Sequence, residues 1–236
     1  MTSDSPVPPD ETLLDEFEDW EESDGIRLKE RYGLVLLLIF VSYLLGGFNE
    51  STVTVLINAV IWSVVLLAAL WSPTIPRALR RIGVAATVGL LAWFVVADVV
   101  GSDTAFGWRS LLLAVAQLAA LLAVLVRVAQ HKIVTLQTVM GGIAAYAMIG
   151  FAMAALYRGF DLLLGGLFHG LSAVGDYVYF SFVTLTTVGY GDITPVTDLA
   201  KRLVVIEMFV GQVFLITLVA RLVSLWGVPA SKPGTR

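Results

Sequence analysis

Six long apolar runs, separated by short polar or charged segments, divide the chain from residue 32 onward: 32–48, 52–71, 82–100, 110–126, 133–157 and 199–226. At 1.5 Å of rise per residue, about 20 residues cross the roughly 30 Å of hydrocarbon in a bilayer. Each run therefore predicts a transmembrane helix, the first and fourth being the shortest. Between the last two runs, residues 176–186 carry Tyr177, Tyr179, Phe180 and Phe182 and read as a short re-entrant helix. The glycine-alternating stretch Thr187, Val188, Gly189, Tyr190, Gly191 follows it, then Asp192. Non-helical backbone at membrane depth is tolerated only where protein or a water-filled cavity surrounds it, so this loop cannot face lipid.

Composition agrees with a membrane chain: of 236 residues, 58% are hydrophobic and 14% charged, with a mean hydropathy of +0.85. The charge is unevenly placed. Residues 1–30 hold eleven of the nineteen acidic side chains against two basic ones, about −9, and the remainder carries about +5. Such a block with Pro6, Pro8 and Pro9 reads as a solvated tail. Leu13, Phe17 and Trp20 recur at helical spacing, which leaves open an amphipathic helix that docks on a partner. With no cysteine, disulfides and thiolate metal sites are excluded.

Basic residues set the orientation. With the six spans drawn, Arg27, Lys29, Arg31, Arg77, Arg80, Arg81, Arg127, Lys132, Arg221, Lys232 and Arg236 fall on the side of the N-terminus, and only Arg109, Arg158, Lys201 and Arg202 lie opposite. Cytoplasmic loops retain positive charge, so both termini are expected in the cytoplasm of a multi-pass protein of the plasma membrane.

The 187–191 stretch has a physical logic of its own. Carbonyls on one edge of a strand all point one way only if alternate residues take left-handed dihedrals, which Gly189 and Gly191 tolerate without a Cβ penalty. Val188 and Tyr190 then point away, against the surrounding helices. On these residues the chain resembles the potassium-channel family, whose selectivity filter replaces the hydration shell of K⁺ with rings of backbone carbonyls from four copies of the loop. The resemblance covers roughly the last hundred residues. It implies K⁺ ligands at Thr187, Val188, Gly189 and Tyr190, with Gly191 completing the ion-binding loop, and filter support from Asp192, Asp176, Tyr179, Phe180 and Thr186. After the loop, Asp192, Pro195, Val196, Thr197, Lys201, Arg202 and Gly211 follow the family pattern without a gap. This makes Gly211 a hinge candidate, although glycine in a transmembrane helix also serves close packing. One-turn steps place Gln212, Leu215, Val219 and Val223 toward the axis, as cavity and gate. One filter per chain without an internal repeat requires a homotetramer.

Two charged features modify this picture. Glu207 lies in mid-span, where a charge costs about 2.5 to 3.5 kcal/mol even on lenient insertion scales, so it must be protonated, paired or wetted. Its spacing suggests satisfaction by Thr184 or Thr186, and both a structural and a proton-sensing role remain open. The six-span order resembles voltage-gated channels, yet residues 110–126 contain no basic residue. Steep voltage gating needs three to four charges per subunit, each worth about 2.3 kcal/mol per 100 mV. Asp98 could pair with Arg109, a solvated carboxylate being the simpler expectation, and Asn58 and Gln117 read as interhelical hydrogen-bond partners.

The expected fold class is an all-α membrane protein of six transmembrane helices plus a re-entrant pore helix and selectivity-filter loop, homotetrameric. Its parts are the acidic tail (1–31), a four-helix voltage-sensor-like scaffold without gating charges (32–131) and the pore domain (132–236). The expected function is passive, K⁺-selective conduction without strong voltage gating; a non-selective cation channel and a regulatory subunit are the alternatives. Partners are further copies of the chain, membrane lipid and K⁺, with no cofactor and no nucleic acid. The two histidines, His131 and His169, fall on opposite membrane faces and build no catalytic constellation. A secondary transporter would carry broken helices in both halves, whereas only one half here has a re-entrant loop.

Overall fold

A computed structural model describes residues 32–48, 52–70, 77–130 and 136–226. The acidic tail and its candidate amphipathic helix, together with Lys132 and the C-terminal residues from 227, lie outside the described residues. The described residues are almost wholly helical: α1 (Tyr32–Phe48), α2 (Thr52–Leu70), α3 (Arg77–Val100), α4 (Asp103–Gln130), α5 (Leu136–Leu164), α6 (Gly175–Leu185) and α7 (Asp198–Trp226). Two short strands, β1 (Phe168–His169) and β2 (Thr194–Pro195), pair antiparallel with Phe168 opposite Pro195 and His169 opposite Thr194.

Helices prevail because in lipid each backbone N–H and C=O must find its partner within the segment. Among the described residues four helices are long and apolar enough to cross a membrane: Gly83–Val100, Asp103–Val126, Thr138–Leu164 and Asp198–Ser224. Helices α1 and α2 contribute shorter apolar stretches, Gly33–Leu44 and Leu56–Leu67. The chain is a multi-pass membrane protein. Where α3 turns into α4, the Ala105 N–H donates to Ser102 Oγ at 3.2 Å, capping the new helix.

The central element is α5, which packs against α1, α4, α6 and α7. Gly107 and Gly159 let α4 approach it closely: a Cβ on Gly107 would lie 2.7 Å from Leu163 Cγ, and one on Gly159 2.5 Å from Leu111 Cδ2. Met148, Tyr157, Leu185 and Ala144 are fully buried at the centre of the resulting core. Burial is unequal between the two helices that flank α6, with 61% of the α5 span buried and only 11% of the α7 span. Phe209, Ile216 and Val223 are among the large apolar side chains that α7 leaves uncovered in the single chain.

In the scaffold, Ser42 Oγ of α1 donates to Asn58 Oδ1 of α2 at 2.6 Å, an interhelical bond of the expected kind. Gln117 is buried, but its Oε1 has no hydrogen-bond partner among the described residues. The simpler expectation for Asp98, a solvated carboxylate, is corrected. Arg109 Nη1 reaches Asp98 Oδ1 at 3.0 Å, and its guanidinium lies 5.2 Å from the Phe94 ring centre and 4.7 Å from that of Phe106. A guanidinium at that depth requires both a counter-charge and aromatic faces, and α3 and α4 supply them.

Candidate functional site

The α6 helix enters the structure through Asp176. This carboxylate accepts from Ser172 N–H (2.6 Å), Ala173 N–H (2.8 Å) and Ser172 Oγ–H (2.9 Å), fastening the preceding turn to the positive end of the helix. Partial burial works to raise the Asp176 carboxyl; the two N–H groups and the hydroxyl outweigh it and hold the group below the usual carboxylate range. Phe180 is buried edge-on to Tyr157 and Phe168, with centroids 5.5 and 5.1 Å apart, so aromatic packing joins α6 to α5 and β1.

At the far end of α6 the chain leaves the helix through bonds to its last carbonyls. Thr187 N–H donates to Thr184 O at 3.0 Å, and the N–H groups of Val188 and Gly189 both donate to Val183 O, at 2.9 and 3.3 Å. Thr186 Oγ1 bonds back to Phe182 O at 2.6 Å. In the loop itself φ is +62° at Thr187, +57° at Gly189 and +79° at Gly191. Alternate residues are thus left-handed. For Thr187, a β-branched residue, that conformation costs about 1–2 kcal/mol and is rare enough to mark a functional constraint. Sequence reasoning assigned it to the glycines and missed the threonine.

Val188 and Tyr190 line an apolar cavity of about 510 Å³ shared with Phe40 and Tyr43 of α1, Phe151 of α5 and Phe182 of α6. Tyr190 stacks on Tyr179 with the rings 3° from parallel and 6.4 Å apart. Tyr179 in turn donates its hydroxyl to Asp192 Oδ2 at 2.6 Å. That bond holds Asp192 below the usual carboxylate range and pushes the Tyr179 phenol up to about 12. Beyond the loop, a Cβ on Gly170 (φ +92°) would run into the Asp192 carbonyl oxygen and lie 3.3 Å from Ile193 Cα, so the two chain segments approach as only glycine permits.

Glu207 is fully buried, and its partners differ from those expected. Tyr157 donates its hydroxyl to Glu207 Oε2 at 2.5 Å, and Ser181 Oγ bonds Glu207 Oε1. Neither Thr184 nor Thr186 bonds to it, because Gly211, one turn beyond Glu207, is the residue level with the end of α6. A Cβ there would lie 2.5 Å from Leu185 Cδ1. Both α6 and α7 advance by one turn between these contacts, so Glu207 meets Ser181, one turn before Leu185. Gly211 sits at a close-packing contact. Gln212 is half-buried, and Leu215, Val219 and Val223 are exposed on the uncovered side of α7.

Three further side chains escaped the sequence reading. Asp161, near the end of α5, accepts from Leu167 N–H and from Tyr177 O–H, both at 2.6 Å, tying α5 to the approach of β1 and to α6. Tyr146 donates to Leu185 O at 2.9 Å, and Ser181 joins α6 to both neighbouring helices. The available signal was the polar residue inside an apolar run: Tyr146, Tyr157 and Asp161 lie on one stripe of α5, at steps of eleven and four residues.

Comparison with known proteins places a channel module on this part of the fold. Residues 142–226, from within α5 to the end of α7, match the family model described as "Ion channel". Over 49 residues the chain is 51% identical to Two-pore potassium channel 4 of Arabidopsis thaliana, a match that covers 21% of this chain and 17% of that protein's length. The chain therefore spans about a sixth of the curated relative it matches. Both similarities are to channels, and the family match falls on the part of the chain from within α5 to the end of α7.

Proposed function

We propose that the chain assembles as a homotetramer whose four 187–191 loops form a K⁺-selective filter, conducting K⁺ passively across the plasma membrane. The observation that carries this reading is the left-handed backbone at Thr187, Gly189 and Gly191. Alternating hands along a strand allow successive carbonyls to face one side, and four such edges around an axis can replace the water shell of a dehydrated K⁺ ion. Thr187, Val188, Gly189 and Tyr190 are the K⁺ ligands in this account. Asp192 and Tyr179 brace the outer end, Phe180 and Thr186 hold the α6 side, and Asp176 fixes the entry of α6.

Tetramerisation is supported by what a single chain leaves bare. Val188 and Tyr190 are 51% and 69% exposed, on a loop that lipid cannot solvate. Further copies would enclose them and cover the outer side of α7. In that assembly Gln212, Leu215, Val219 and Val223 line the inner cavity, both termini are cytoplasmic, and membrane lipid surrounds α1 to α4. Voltage has little to act on, since residues 110–126 carry no charge and Arg109 is neutralised by Asp98.

The test is native mass measurement of the purified full chain, followed by ion flux into liposomes containing it. Four copies and K⁺ uptake far above Na⁺ uptake are expected. Any other stoichiometry, or equal uptake of the two ions, would overturn the proposal.

A further inference from the structure

The hydrogen bonds around Glu207 do not balance unless the carboxyl group itself carries a hydrogen. Ser181 Oγ makes two bonds, one to the Gly150 carbonyl oxygen at 2.7 Å and one to Glu207 Oε1. A serine hydroxyl has one hydrogen, and a carbonyl oxygen has none to give. The Tyr157 hydrogen is engaged at the other carboxyl oxygen, Oε2. With a carboxylate at position 207, either the Gly150 carbonyl or Oε1 would face a bare oxygen lone pair in a site without water access. A neutral acid closes the set: Oε1–H donates to Ser181 Oγ, Ser181 donates to Gly150 O, and Tyr157 donates to Oε2.

We propose that Glu207 is a proton-carrying positioning residue that ties α7 to the middle of α6 and to α5, and thereby sets the position of the 187–191 loop. The mechanical path is short. Ser181 is one turn from Leu185, which meets Gly211 of α7 and accepts from Tyr146 of α5. Between them on α6, the Val183 carbonyl holds the N–H groups of Val188 and Gly189. Any shift of α7 past α6 reaches the loop through these contacts. The titratable groups facing Glu207 are Tyr157 and, within electrostatic reach, Tyr146, both on α5; α6 presents Ser181. Removing the proton leaves one hydrogen for two acceptors, so ionisation loosens the tie.

The functional consequence rests on the channel reading; the proton count does not. Infrared spectra of the purified full chain, parent minus Glu207→Gln, test the count directly. At neutral pH the parent is expected to show the carbonyl stretch of a neutral carboxylic acid, sensitive to exchange into heavy water and missing from the variant. Carbon-13 labelling of glutamate identifies the same band without any substitution. Glutamine keeps a donor for Ser181 and an acceptor for Tyr157, so Glu207→Gln is expected to retain thermal stability and K⁺-over-Na⁺ flux. Ser181→Ala strands the acid hydrogen and the Gly150 carbonyl, and is expected to shift the folding or gating equilibrium by roughly tenfold or more. A carboxylate band for Glu207 at neutral pH, or a Glu207→Gln protein that fails to assemble, would overturn the proposal. A chain that conducts no K⁺ but shows the neutral-acid band would refute the channel reading alone.

Discussion

Removing the two ends of the Asp98–Arg109 pair should not cost the same. Side-chain exposure is 5% for Arg109 and 21% for Asp98. Asp98→Leu strands a guanidinium between Phe94 and Phe106 with almost no access to water, so the cost should approach the lower end of that for a broken buried pair, about 3 kcal/mol. Arg109→Met leaves a carboxylate that can still recruit water, and methionine refills part of the space between the rings. Its cost should be about 1–2 kcal/mol, mainly the two lost cation–π contacts and a partly desolvated charge. The double variant Asp98→Leu/Arg109→Met strands no charge and should fall within about 1 kcal/mol of the parent, since apolar replacement of a buried ion pair is often neutral. Thermal unfolding in detergent, followed by the fluorescence of Trp93 on α3 and Trp108 on α4, measures all three. If the double variant lost the sum of the single losses, the pair would not act as a unit. If Arg109→Met were the costlier single change, the burial argument would fail.

Gly189→Ala should abolish selective conduction, because a left-handed alanine costs about 1–2 kcal/mol in each of four copies; liposome K⁺ uptake at parental level would contradict it. Gly211→Val should weaken the α6–α7 contact by about 1–3 kcal/mol of overpacking against Leu185, read as a lower unfolding temperature, whereas unaltered stability with altered gating would favour a hinge. Asp176 is held below its unfolded value, so its contribution is present above that value and is lost as pH falls through the folded one. Asp176→Asn should therefore lower stability at neutral pH and converge with the parent in acid, and parallel acid-unfolding curves would contradict this.

How much of this was legible follows from what each feature depends on. Residues 32–48 were readable as a helix to the residue, because apolarity alone bounds α1. The runs 110–126 and 133–157 stopped short, since α4 spans Asp103–Gln130 and α5 Leu136–Leu164. Arg109, Arg158 and Asp161 interrupt the apolar pattern without interrupting the helix, and the bonds of Arg109 and Asp161 reach outside their own helices, where apolarity gives no signal. Left-handed backbone at Gly189 and Gly191 could be argued from glycine, but at Thr187 it is imposed by the bonds that fold the loop back onto α6. The helix carrying Ser181 was readable, yet its rotation against α7 was not. A one-turn offset between α6 and α7 separates the expected partners of Glu207, Thr184 and Thr186, from Ser181.

The most direct test of the central claim is the reversal potential of the purified full chain in a planar bilayer with K⁺ on one side and Na⁺ on the other. Four carbonyl ladders that replace the hydration shell of K⁺ predict a reversal potential displaced far from zero, toward the K⁺ equilibrium value, with open probability that varies little with voltage. A reversal potential near zero would contradict the account.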